Sequence, residues 1–292
     1  MLVGRLAIVL EMTLRRLLRN RVAVILLLIV PVVFQTVMLK VAPDRAVEVE
    51  LASVPESEMV MPPVRVLPAR PVPAAERGAV LEAPARGVAL IFVTVAAVGM
   101  LAAFLGLSLM QRGAESTRRL VLCGLRPWEI LTSKLVALLC VVVALAGVAS
   151  VVLLRSLGPE RPGVLLLGLM LTGWVYGCYG LLVGSTLRTG LAGMLCIVLL
   201  SNLDVMWLQN PVDYSEARTR SLIRSLPGHL PSQVCVVGAF EDYGYGRQAL
   251  GAAAYGAALF SSAAVIFTWK SRTRRSRSPA SADEAGPGPH DA

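Results

Sequence analysis

Residues able to carry acid–base or metal chemistry are sparse in this chain. His229 and His290 are its only histidines, and none of its 5 cysteines belongs to a Cys-x-x-Cys pair. A zinc site or a histidine-assisted nucleophile needs such residues close together. No glycine precedes Lys40, Lys134 or Lys270, the only lysines, so the nucleotide-binding loop GxxxxGK[ST] is absent. The sequence therefore predicts no catalytic site, no metal site and no cofactor in this chain.

One segment is suited to a different task, the binding of a partner protein. Residues 112–134, RGAESTRRLVLCGLRPWEILTSK, combine arginines with a leucine-rich cluster between two apolar runs. Gly124 suits the position just after a helix, and Pro127 suits the first turn of the next one. The pattern predicts a helix, a tight turn and a second helix at the membrane surface. Such an elbow can insert into another protein; a solvated connector anchored by Trp128 is the alternative.

The flanking runs indicate that lipid is the solvent of this chain. Charged residues make up 16% of it, against about 25% in soluble domains, and its mean hydropathy is +0.67. A run of about 20 apolar residues crosses a bilayer core. The first run could instead be a cleaved signal peptide, but the basic region before it is long and no Ala-x-Ala site follows. The predicted spans are Val22–Val41, Val88–Met110, Leu135–Leu154, Gly163–Leu187, Gly190–Leu208 and Ala249–Trp269.

Arginine and lysine are concentrated in short segments on one predicted side of the membrane. The N-terminal segment, the loop after span two, the turn after span four and the tail are basic, whereas the opposite loops mix basic residues with acids. Short basic segments stay in the cytoplasm. Both termini are therefore predicted to be cytoplasmic, with residues 42–87 and 209–248 outside.

The segments outside the predicted spans differ in character. Residues 1–21 have apolar residues at helical spacing and predict an amphipathic interfacial helix, or else a simple basic flank. Residues 42–87 are rich in proline and predict an extended external loop. In residues 209–248, the stretch SLPGHLPSQVCVVGAF is too short to span, so it predicts a re-entrant or interfacial hairpin. Residues 271–292 are predicted to be a disordered cytoplasmic tail.

Small and polar residues inside the spans suggest packing and function. Span four has two GxxxG patterns, which permit close helix approach within the chain or, alternatively, at a dimer seam. Asp204 lies near the end of span five, close to Asn202. An acid in a span is costly and by default functional, but a carboxylate so near the span end could also simply reach interfacial water. The glycines of the two patterns are Gly173, Gly177, Gly180 and Gly184.

The elbow resembles the coupling segment of type-2 ABC exporter permeases, in which a stretch like RERGTLELLLTTPLSRWEILLGK connects the membrane to the ATPase. The order of spans, the amphipathic start and the proline-containing segment before the last span resemble that family too. Two features depart from it: Arg118 and Arg119 stand where the family usually has Leu-Glu, and the first external loop is long. The matching residues are Arg112, Gly113, Glu115, Leu120, Leu122, Trp128, Glu129, Ile130 and Lys134.

The resemblance implies an all-α membrane protein and half of a transporter. Residues 22–270 would form a six-span permease domain, with residues 1–21 as a connecting helix and residues 111–134 as the coupling segment. A separate ABC ATPase would hold ATP and magnesium, and a second permease, identical or paralogous, would complete a 2+2 assembly in the lipid of the plasma membrane; no nucleic acid is involved. The residues expected to couple to the ATPase are Arg112, Gly113, Glu115, Arg118, Arg119, Leu120, Leu122, Trp128 and Glu129.

The resemblance also suggests where and what the protein transports. The family's pathway is similar to a cleft between spans two and five of the two permeases, so Thr94, Asn202 and Asp204 are the predicted lining residues. The apolar cleft favours an amphiphilic or hydrophobic substrate such as a drug-like metabolite, a lipid or a peptide, with glycans still open. The alternatives are a regulatory or sensory subunit of the same shape and, disfavoured by the missing chemistry, a membrane enzyme.

Overall fold

A computed structural model describes residues 21–42, 46–55, 78–111, 127–187, 189–208, 220–240 and 244–275, together with residues 11 and 15. Most of the predicted amphipathic helix, the centre of the first external loop, residues 112–126 of the coupling segment and the tail beyond residue 275 lie outside the described residues. Glu11 and Arg15, which the sequence places on one helix face, form an ion pair of 2.5 Å.

The described residues are almost entirely helical, which confirms the all-α membrane class. The helices are α1 (Arg21–Val41), α2 (Ala85–Gln111), α3 (Pro127–Leu157), α4 (Pro162–Thr186), α5 (Gly190–Ser201), α6 (Arg220–Arg224), α7 (His229–Phe240) and α8 (Gly246–Arg275). Within the described residues, four of them, α2, α3, α4 and α8, are long and apolar enough to cross a membrane. Helices α1 and α5 correspond to predicted spans one and five.

Helix α4 is the centre of the bundle, and its contact with α2 is made backbone to backbone. A methyl group on Gly180 would overlap the carbonyl group of Ala103, and one on Gly106 would overlap the carbonyl oxygen of Gly177. At Gly184, a methyl group would lie 3.3 Å from the backbone of α2. These helices can approach so closely because no side chain separates them.

The other glycines of the two GxxxG patterns meet helix α3. A methyl group on Gly173 would overlap the side chain of Val142, and one on Gly177 would lie 2.8 Å from Leu138. Both apolar side chains are buried. The glycines of α4 therefore serve contacts with two neighbours, α2 and α3, within a single chain.

The loop between α1 and α2, predicted to be external, contains a small sheet near its two ends that was not predicted from the sequence. Strand β1 (Ala46–Pro55) pairs antiparallel with β2 (Gly78–Pro84), and Glu48 lies opposite Glu82. Strand β2 leads directly into α2. The alternation of valine with glutamate in AVEVEL is typical of a strand, and the proline-rich composition of the loop obscured it.

The close packing of α4 against α2 predicts that a larger residue at Gly180 lowers stability. We expect Gly180→Ala to lower the free energy of unfolding by about 1–3 kcal/mol, because the added methyl group forces α2 and α4 apart. Gly147→Ala is the matched control, since a methyl group there meets no atom within 4 Å. Thermal unfolding of the two purified variants in detergent measures the difference. Equal melting temperatures would show that the backbone contact is not limiting.

Candidate functional site

Thr94 lies inside the bundle, in a polar contact that joins three helices. The fully buried amide of Gln35 on α1 donates hydrogen bonds to Thr94 Oγ1 at 2.7 Å and to the carbonyl oxygen of Ala149 on α3 at 3.2 Å. The Thr94 hydroxyl in turn donates to the carbonyl oxygen of Leu90 at 2.6 Å. Gln35 was missed at the sequence level, although it is a lone amide in an apolar run. In lipid such a group needs internal partners, and that signal could have found it.

Asp204 also lies inside the bundle, at the end of span five. Helix α5 widens after Ser201 into a π-helical turn, Asn202–Leu208, which contains Asp204. The Asp204 side chain has 0% of its surface exposed. One of its oxygens, Oδ2, accepts hydrogen bonds from the hydroxyl of Tyr176 on α4 at 2.5 Å and from the backbone N–H of Gly228 at 2.6 Å. The carboxylate thus joins α4, α5 and the turn before α7.

The fit around Asp204 is close on each side. A methyl group on Gly228 would lie 2.8 Å from both Asp204 Oδ2 and the Tyr176 hydroxyl, so only glycine lets the backbone approach. The ring of Tyr176 lies against Gly99 of α2, where a methyl group would come within 2.8 Å of it. Tyr176 and Gly228 carry no motif of their own, and only the fold brings them to the carboxylate.

Asn202, the third predicted lining residue, is exposed. Its amide donates a hydrogen bond of 2.8 Å to the carbonyl oxygen of Val198 in its own helix. The same side of α5 exposes large apolar side chains and so forms a mostly apolar surface with one amide. These side chains are Leu191, Met194, Leu195, Leu199 and Leu203.

The described part of the predicted coupling segment starts at Pro127, in the first turn of α3 as described. Trp128 is exposed, whereas Glu129 is buried in the first turn of the helix, where an acid is favoured by the helix dipole. Lys134, two turns into α3, is buried, and its ammonium group lies 5.8 Å above the ring of Phe267 on α8. The other predicted coupling residues, from Arg112 to Leu122, lie outside the described residues, so their role stays a prediction.

The ends of α4 and α8 are tied together on the same side of the bundle. The ammonium group of Lys270 donates hydrogen bonds to the carbonyl oxygens of Ser185 at 2.5 Å and Thr186 at 2.8 Å. Carbonyl groups in the last turn of a helix lack partners within it, and a lysine is a favourable donor for them. The end of span six is thereby fixed to the end of span four.

Comparison with known protein families identifies the family of this chain. Residues 62–205, from the first external loop through α5 to Val205, match the sequence model described as ABC-2 family transporter protein. The chain belongs to the ABC-2 transporter family. A search of curated proteins returned no match.

Several properties of this ABC-2 permease follow from its family. It is a multi-pass membrane protein and the permease component of an ABC transporter. Permeases of this family work with an ABC ATPase and are typically not catalytic themselves. The matched residues contain Thr94, Asn202, Asp204 and the whole coupling segment. Their predicted role in the pathway stays a prediction; the geometry brings only Asn202 to the outside of the chain.

The Gln35–Thr94 contact predicts a measurable stability difference. We expect Thr94→Val to lower the free energy of unfolding by about 0.6–1.7 kcal/mol, because it removes the hydroxyl that accepts a hydrogen bond from the buried Gln35 amide. Thr36→Val is the control: Thr36 bonds to Val32 of its own helix and is exposed. Unfolding of micelle-bound protein by denaturing detergent gives both values. A loss at Thr36 as large as that at Thr94 would contradict the prediction.

Proposed function

We propose that this ABC-2 permease is one half of the membrane part of an exporter. Two copies, or one copy and a paralogue, would pair with two ATPase subunits and move an amphiphilic or hydrophobic substrate across the plasma membrane. The observation that carries the proposal is the family match over residues 62–205, which takes in spans two to five and the coupling segment. In this arrangement α1 and α5 are spans one and five, and both termini are cytoplasmic.

The outer surfaces of α1 and α5 support the position of the pathway. Both helices expose apolar side chains, and on α1 these recur every four residues, so that they form a stripe that winds gradually around the helix. Helix α2, by contrast, is buried in its own chain on most sides. We therefore infer that α5 supplies the wall of the cleft and that α2 supports it from behind. The exposed residues of the α1 stripe are Ile25, Ile29, Val33, Val37 and Val41.

The chemistry of that wall favours a substrate with a large apolar part and a small polar one. Asn202 is a polar group among exposed leucines on α5. It can donate and accept hydrogen bonds, whereas the leucines provide apolar contact. We propose that Asn202 faces the substrate and that Thr94 and Asp204 hold the helices that shape the cleft. A drug-like metabolite, a lipid or a hydrophobic peptide would meet these requirements.

The coupling segment joins α2 directly to α3, and both helices pack against α4. A displacement of the segment by the ATPase would therefore act on the centre of the bundle. Close-packed helices transmit such a displacement as a rigid-body movement, because the interior has little free volume. Residues 112–126 are in this way the proposed input of the transport cycle, with α5 and α1 at the moving boundary between the two permeases.

One observation favours a second candidate function. The long first external loop is not merely extended, since its ends pair as β1 and β2. A folded element outside the membrane is suited to binding an external ligand, as a sensory or regulatory subunit would. A partner with an inactivated ATP site distinguishes the two functions: export requires ATP hydrolysis, whereas a sensor that works without transport keeps its function.

The coupling role is tested at Glu115. Glu115→Ala should leave expression and membrane insertion intact but abolish export and weaken co-purification of the ATPase. Truncating a charge desolvated at a docked interface costs about 2–5 kcal/mol, whereas an exposed intrahelical pair contributes about 0.2–0.5 kcal/mol. The measurements are ATPase recovered with the tagged permease and ATP-driven uptake of a fluorescent amphiphile by inverted vesicles.

Glu160→Ala provides the matched control for this experiment. Glu160 is an exposed acid in the turn between α3 and α4, at the opposite end of these helices from the coupling segment. Its loss should change neither measurement. Normal uptake and normal ATPase recovery in Glu115→Ala would leave the segment as a connector only.

A further inference from the structure

Helix α7 begins inside the bundle and ends near the start of α2. Its last residue, Phe240, packs against Gly87 in the first turn of α2, and Tyr176, beside the turn that precedes α7, packs against Gly99. Gly87 and Gly99 are about 18 Å apart along a helix that rises 1.5 Å per residue, which is also the length of the 12-residue helix α7. A bilayer core is about 30 Å thick, so a helix of this length covers roughly half of it.

The two ends of α7 are held by different forces. Along its length, α7 packs on α4 through close contacts: a methyl group on Gly238 would lie 2.5 Å from the backbone nitrogen of Leu165, and one on Gly168 would lie 2.6 Å from the sulfur of Cys235. At its inner end the partner is Asp204. The carboxylate accepts the backbone N–H of Gly228, just before the helix begins.

An inner end of this kind creates an electrostatic requirement. The first N–H groups of a helix have no acceptor within the helix, and hydrocarbon supplies none. The N-terminus also carries a partial positive charge, which favours a nearby anion. A buried carboxylate in a span is costly alone, but here the positive helix end and the Tyr176 hydroxyl compensate it.

We propose that Asp204 is a positioning residue whose carboxylate tethers the inner end of α7 to span five. Tyr176 holds the carboxylate in the orientation that Gly228 needs. While the tether is made, the hairpin of α6 and α7 is fixed to α5 and α4 together; when it is broken, α7 leaves the bundle from its inner end. The tether belongs to the folded chain itself and needs neither substrate nor ATPase.

A native cysteine reports on this tether. Cys235 lies in the middle of α7, is fully buried and faces α4. Cys178, on α4, is also fully buried and serves as the control for the rest of the fold. Two single-cysteine versions of the full chain, one retaining Cys235 and one retaining Cys178, would be purified in detergent and reacted with N-ethylmaleimide.

The variants differ in how much of the tether they remove. Asp204→Ala removes the acceptor, Asp204→Asn keeps an oxygen but no charge, and Tyr176→Phe removes one donor. Asn202→Ala is the matched control, because Asn202 lies in the same π-helical turn but is exposed and bonds to its own helix.

The expected result is a rate of Cys235 labelling at least about tenfold higher in Asp204→Ala than in Asn202→Ala, since tenfold corresponds to about 1.4 kcal/mol of easier opening. Asp204→Asn and Tyr176→Phe should give smaller increases, and Cys178 should stay unreactive. Two results would overturn the proposal. Cys235 labelling that is the same in all variants would mean that packing alone holds α7. An equal rise at Cys178 in every variant, the mild Tyr176→Phe included, would mean that Asp204 supports the whole fold and not α7 in particular.

Discussion

The architecture depends on one constraint, the backbone contact between α2 and α4. Without water to drive apolar surfaces together, helices in lipid associate through close packing and internal hydrogen bonds. Gly106 and Gly180 supply the packing, because each places a hydrogen atom where any side chain would overlap the opposite carbonyl group. Once α2 and α4 are in contact, the remaining faces of α4 are open to α3, α7 and α8. Helices α3 and α7 pack against glycines of α4, whereas Trp174 of α4 packs against Gly256 of α8.

Polar side chains secure what the glycines do not reach. Helix α1 is joined to α2 and α3 through Gln35, and the end of α5 is joined to α4 and α7 through Asp204. Both are groups that hydrocarbon penalises when they lack partners, and both obtain their partners from other helices. Each therefore specifies a particular arrangement of helices, because a shift of any one helix leaves a polar group unsatisfied. Within the π-helical turn, Asp204 faces inward, whereas Asn202, two residues before it, faces outward.

The sequence predicted the features that depend on local pattern. Apolar runs indicated the helices, and the spacing of glycines in α4 indicated close packing. The partners of Asp204 could not be predicted, because Tyr176 and Gly228 lie 28 and 24 residues away and only the tertiary fold brings them together. The two roles predicted for Asp204, lining of the pathway and contact with interfacial water, did not include a third one, a buried acceptor beside the start of a helix inside the bundle. Thr94 was predicted as a lining residue from the family resemblance, and only the tertiary fold shows that it pairs with Gln35. The need of Gln35 for an internal partner, by contrast, is visible in the sequence, because it is a lone amide in an apolar run.

The distribution of these contacts indicates which parts of the permease can move. Helices α2, α3, α7 and α8 pack on α4, so they are expected to move with it as one body. Among the side chains that the structure describes, α1 and the end of α5 join that body through few buried ones, and the polar ones include Gln35, Ser201 and Asp204. A transporter must change the boundary of its pathway without unfolding its core, and a boundary held by a small number of specific hydrogen bonds can adopt two arrangements where a close-packed one cannot. The apolar core thus sets the fold, and the two polar contacts set how its outer helices are placed.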